Sequence, residues 1–94
     1  LLPNQTVVRF IPGLLPAASI RAGSAVSLWQ VIESEDGYQP QRIVSVAEVL
    51  SLEYGEGLFA DEAPNVALLL NLEQSTLLLQ AVAADFPVYV LPLP

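Results

Sequence analysis

The sequence predicts an α+β domain, mainly β: about five strands in a small barrel-like or strongly twisted sheet, with one covering helix over about residues 72–85. Eight prolines and five glycines in 94 residues cut the chain into short segments, which favours several strands over a helical bundle. Most of those segments are rich in β-branched and aromatic residues, which suit a pleated, half-buried surface. One stretch, 71–86, carries a helical period instead. With 53% hydrophobic and 14% charged residues, the chain has ample core material and is too apolar to remain disordered. A chain of this size is expected to form one domain spanning 1–94.

Each element has its own signal. Thr6–Ile11 is β-branched and aromatic and is stopped by Pro12-Gly13. Residues 14–22 read as a connection, punctuated by Pro16 and Gly23. Ala25–Glu33 is a second strand, closed by the turn Glu35-Asp36-Gly37, with glycine where a positive φ is often needed. Gln41–Glu53 is long for one strand, so a bend or bulge is expected within it. Tyr54–Pro64 is an acidic loop containing Gly55 and Gly57, Val66–Leu70 is the fourth strand, and Pro87–Leu91 is the last.

Between the last two strands, Asn71 can cap a helix and Gln74 supplies the partner of a capping box. Ser75, Leu78, Leu79, Val82, Ala83 and Phe86 fall on one predicted face, with Gln74, Gln80, Ala84 and Asp85 largely on the other. Pro87 prevents continuation. The strand–helix–strand order over 66–91 suggests a crossover unit, right-handed if its two strands are parallel.

Composition excludes much chemistry. Three arginines (Arg9, Arg21, Arg42) face ten carboxylates, giving a net charge of −7. Such a balance repels nucleic-acid backbones and anionic lipid. Histidine, cysteine and lysine are absent, which removes imidazole bases, thiol nucleophiles, zinc–histidine sites and Schiff-base chemistry. No apolar run approaches the ~18 residues of a membrane span.

The remaining candidates are carboxylates. Glu33, Glu35 and Asp36, or Glu48 and Glu53, could form an acid pair of the glycosidase kind; a turn and a solvated strand account for them more simply. The acidic loops 33–37 and 53–62 lack the alternating ligand spacing of an EF-hand. Asn4-Gln5-Thr6 satisfies a glycosylation sequon, and Tyr54-Gly55-Glu56-Gly57 is too acidic to cradle phosphate. The sequence therefore assigns no catalytic, cofactor-binding or metal-ligating residue and no cofactor. Two residues stand out as partner contacts. Trp29 alternates out of phase with Val26 and Leu28, so it points away from a core those two enter, and Leu77 lies on the outer side of the predicted helix. Tryptophan is enriched where interfaces concentrate their energy.

The order of features resembles the domain of Flp (tight-adherence) pilus assembly proteins of the RcpC/CpaB kind. Residues 20–28, Ile-Arg-Ala-Gly-Ser-Ala-Val-Ser-Leu, are similar to that family's opening motif, with Ser24 and Ser27 at its aspartate positions. Arg42–Leu52 is similar to its internal strand, Asn65–Ala84 to its strand running into a helix, and Val88–Leu91 to its closing strand. Phe86-Pro87 replaces the usual glycine before that strand, which marks a diverged member.

The resemblance implies a periplasmic or cell-envelope domain, anchored by an upstream membrane helix and often preceded by a β-clip domain. Position 1 is not methionine, in keeping with a piece of a longer membrane-anchored protein. The expected function is non-catalytic: protein–protein contact, a second copy of the chain included, in assembly of a Flp-type pilus or related secretion machine. The alternative is a carbohydrate-binding module for cell-wall glycan, with Trp29, Tyr38 and Tyr54 as its aromatic platform.

Overall fold

The computed structural model describes residues 2–55 and 64–93. Five strands and one helix follow in the order β1 (Gln5–Phe10), β2 (Ala25–Ser34), β3 (Gly37–Glu53), β4 (Asn65–Asn71), α1 (Leu72–Ala83) and β5 (Val88–Pro92). The mainly-β α+β class predicted from sequence is the class observed. The strands form a single sheet in the order β1-β4-β3-β2-β5, with every neighbouring pair antiparallel. β2, β3 and β4 make a meander, and the first and last strands add to its two edges.

The sheet is rolled. Four strand spacings in a flat sheet would put β1 and β5 about 19 Å apart. Gly13 lies only three residues beyond Phe10, a reach of roughly 10 Å. Yet its N–H donates to the Val88 carbonyl in β5 at 2.8 Å. The far edges must therefore curl toward each other, and the irregular pairing of β3 allows it. Register slips occur opposite Val26–Leu28 and Leu28–Trp29 on one side of β3, and between Val49 and Ser51 on the other. An extra residue bends a strand and increases its twist. The bulge expected in the long third strand is thus three irregularities, and they explain why Val44, Ala47 and Val49 are all buried despite unequal spacing.

The concave side holds the core: Val26 and Leu28 of β2, Val49 of β3, Val66, Leu68 and Leu70 of β4, Val88 and Val90 of β5, closed by Leu78 from the helix. Ile20 joins them from the β1–β2 connection. That connection is held by Gly23, at φ +91°, whose N–H donates to the Val49 carbonyl, and by Val49 N–H donating to the Ser24 carbonyl. Gly37 ends the β2–β3 turn at φ +105°, the positive φ expected there.

The helix departs from expectation in two ways. First, β4-α1-β5 is not a crossover between parallel strands. β3 and β2 lie between β4 and β5, and three successive antiparallel pairings make those two strands antiparallel. The 12-residue helix is about 18 Å long, enough to cross the roughly 14 Å of three strand spacings. It therefore carries the chain laterally over the core rather than back along the strands.

Second, the buried line is Ser75, Leu78 and Ala81, whereas Leu79, Val82, Ala83 and Phe86 of the predicted inner face are exposed. A curled sheet offers only a narrow seam, and a large residue between two small ones fits it. Gln74, expected outside, is half-buried and donates from Nε2 to the Val46 carbonyl at 3.2 Å. The cap itself forms as read: Asn71 Oδ1 accepts from Gln74 N–H, and Gln74 Oε1 accepts from Asn71 N–H.

At the other end Asp85, at φ 60°, stops the helix two residues before Pro87. Its N–H donates to Val82 and that of Phe86 to Ala81, the paired bonds of a Schellman ending. Among the described residues no helix is long and apolar enough to cross a membrane.

Candidate functional site

The face of the sheet turned away from the helix carries the most coherent surface. Alternation along β2 sends Val26 and Leu28 inward and Ser27, Trp29, Val31 and Glu33 outward. In register, Trp29 lies opposite Tyr89 of β5 on one side and Arg42 of β3 on the other. Val31 faces Pro40, Glu33 faces Tyr38, and Ser27 faces Leu91. These cross-strand neighbours share one side of the sheet, forming a strip that runs from β5 out along the β2–β3 hairpin.

Trp29 is the anchor of the strip. Its Nε1 donates to Ser27 Oγ at 2.9 Å, so the indole's polar atom is satisfied within the sheet and its ring is left for contact. The Arg42 guanidinium lies over that ring, 5.9 Å from its centre, within cation–π range. Leu14 reaches the strip from the β1–β2 connection because Gly13 passes close beneath Tyr89: a Cβ at Gly13 would stand 2.9 Å from both the Tyr89 ring and the Pro87 Cβ. Leu14, Trp29, Val31, Pro40, Tyr89 and Leu91 together line an open hollow of about 440 Å³.

The sequence candidates distribute unevenly. Trp29 points outward as its phase requires. Leu77 is 40% exposed but sits on the opposite side of the sheet, in a separate hollow with Gln30, Gln41, Arg42, Ile43 and Phe86, so Arg42 borders both surfaces. The two residues do not share one surface. Tyr38 lies on the Trp29 face at the hairpin end, whereas Tyr54 follows the far end of β3. The aromatic beside Trp29 is Tyr89. Alternation in Val88-Tyr89-Val90-Leu91 makes Tyr89 and Leu91 neighbours on one face, but only the β2–β5 pairing brings them to Trp29.

The acids do not converge on a cleft. Glu35 and Asp36 occupy the hairpin turn and Glu33 the exposed end of β2. Glu48 and Glu53 lie five residues apart along β3, roughly 15 Å in an extended strand. That exceeds the spacing of about 5–9.5 Å used by paired glycosidase acids. No group of three acidic residues suited to a metal occurs among the described residues. The acidic loop 53–62 and the Tyr54–Gly57 stretch lie largely outside the described residues.

A larger hollow, about 490 Å³, opens beside the helix N-terminus and is lined by Asn4, Gln5, Glu48, Asn71 and Gln74 among others. Three of its amides are already committed within the domain. Gln5 Oε1 accepts from Leu2 N–H, and Asn71 and Gln74 cap the helix. The Trp29 hollow, whose apolar side chains have no such internal task, is the better candidate for contact with another molecule. No family model, curated protein or solved structure matches the chain.

Proposed function

We propose that this domain is a non-catalytic interaction module that holds a protein partner in an extracytoplasmic assembly of the Flp-pilus type, as part of a protein anchored in the membrane upstream. The observation that carries the reading is the Trp29 face: a tryptophan, a tyrosine, a proline and three aliphatic side chains around one hollow, with an arginine stacked at its rim. Apolar patches rimmed by polar residues mark protein contact, and Trp, Tyr and Arg dominate binding energy where they occur. The resemblance of residues 20–28, 42–52 and 65–91 to the pilus-assembly domain supplies the biological setting. The missing imidazole, thiol and amine side chains favour holding over transforming.

A glycan site draws on several hydrogen-bonding side chains around the aromatic ring, whereas beyond Arg42 at the rim and the Tyr89 hydroxyl this hollow is lined by apolar side chains. The test is retention of envelope proteins by the immobilised domain. Trp29→Ala is expected to weaken retention by about 2 kcal/mol, or thirtyfold, while unfolding stays cooperative. Unchanged retention, or a saturable fluorescence response of Trp29 to cell-wall fragments, would overturn the reading. Leu77→Ala, on the opposite face, separates a second contact from the first.

A further inference from the structure

The hairpin face is complementary to itself. At its base lie the apolar hollow and the cationic rim of Arg42; at its end lie Tyr38, 74% exposed, and the exposed acid Glu33 directly opposite it in register. Both ends are on the same side of the same two strands. Trp29 and Glu33 are four residues apart in β2, about 13 Å, so the ring, the hollow and the two charges occupy one straight strip. A second copy, rotated by half a turn about an axis crossing the strands near Val31 and laid face to face, sets β2 on β2 and β3 on β3. Each Glu33 then comes over the other's Trp29, where Arg42 stacks, and each Tyr38 comes against the other's Arg42. The contact is reciprocal, as a two-fold interface demands.

Resting on the reading of this face as a protein-docking surface, we infer that its partner is a second copy of this chain, in an isologous dimer built by the two β2–β3 hairpins. Charge complementarity selects this occupant. The chain carries −7 overall, yet the base of the strip presents Arg42, and the hairpin end supplies Glu33, with Glu35 and Asp36 in the adjoining turn. At physiological salt the Debye length is about 8 Å, so the pairs touching across the interface outweigh the distant like charges. Tyr38 stands largely exposed in the isolated domain. In the dimer it packs against the partner's Arg42 at the rim of the hollow.

Sedimentation equilibrium of the whole chain, from about 1 μM to about 1 mM, the range of weak to moderate interfaces, tests the dimer. A reversible monomer–dimer equilibrium that stops at two is expected. Tyr38→Ala weakens it about thirtyfold, whereas Tyr38→Phe retains it. Arg42→Glu and Glu33→Arg each weaken it about tenfold or more by placing like charges together. An equimolar mixture of those two variants recovers dimers, because each then supplies the charge the other lacks at both contacts.

All three substituted positions, Glu33, Tyr38 and Arg42, are exposed on the hairpin, and circular dichroism with thermal unfolding verifies that each variant folds. A wild type that stays monomeric, oligomers that grow beyond two, a dimer indifferent to Tyr38→Ala, or a mixture that fails to recover would each overturn the inference. A monomeric wild type that still loses an envelope partner on Trp29→Ala overturns the dimer alone. A chain that retains no protein through this face overturns both readings.

Discussion

Gly13 shows how one residue without a side chain governs a surface it does not join. Its N–H closes the roll of the sheet onto Val88, and its bare Cα lets the chain slide under the Tyr89 ring so that Leu14 reaches the Trp29 face. The space is the constraint: a methyl group would stand 2.9 Å from ring and proline carbons, closer than packed atoms tolerate. Gly13→Ala is expected to cost about 1–3 kcal/mol by overpacking, read as a lower denaturation midpoint at unchanged slope. It should also displace Tyr89 and so alter Trp29 fluorescence in the native baseline. Loss of stability with an unaltered native spectrum would show that the glycine acts on the backbone alone.

The helix illustrates how an element is fixed at its ends and oriented by what it covers. Its beginning is set by Asn71 and Gln74 through reciprocal bonds of 2.8 and 3.0 Å, and Ser75 Oγ adds a bond to the Asn71 carbonyl. Asn71→Ala is expected to destabilise the domain by about 0.5–2 kcal/mol, measured by urea unfolding, with the helical circular-dichroism signal retained. A neutral effect would mean that packing of Leu78 fixes the helix without its cap. Rotation about the axis obeys different rules. Leu79, more than half exposed, and Val82 were equal candidates for burial by period; the narrow seam of the rolled sheet selected Ser75, Leu78 and Ala81 instead.

At the scale of the whole molecule, the contacts that define the fold are distant in sequence. β1 pairs with β4, about which Gln5 meets Asn71 and Phe10 meets Val66, and β5 returns to pair with β2. Loop-closure entropy must be met before either edge strand gains its partner. Folding is therefore expected on a time scale of roughly milliseconds to seconds, in a single phase visible through Trp29, which lies between β5 and β3. Stopped-flow refolding in the microsecond range would contradict the non-local pairing. The same topology assembles the docking strip, since its residues come from the β1–β2 connection, both hairpin strands and the final strand.

Local chemistry was sufficient for the mainly-β class, the five strands to within a few residues at most of their ends, the glycine turn at Gly37, the capping box and the outward phase of Trp29. Each depends on neighbours within one turn or one pleat, where alternation, capping and allowed φ are properties of a short segment. The lateral path of the helix, its inward line, the separation of Trp29 from Leu77 and the meeting of Trp29 with Tyr89 and Leu14 were decided only by tertiary structure. Strand order and sheet curvature depend on which distant edges pair and how far they roll, and antiparallel strands of similar composition can pair in several orders with nearly the same local signals.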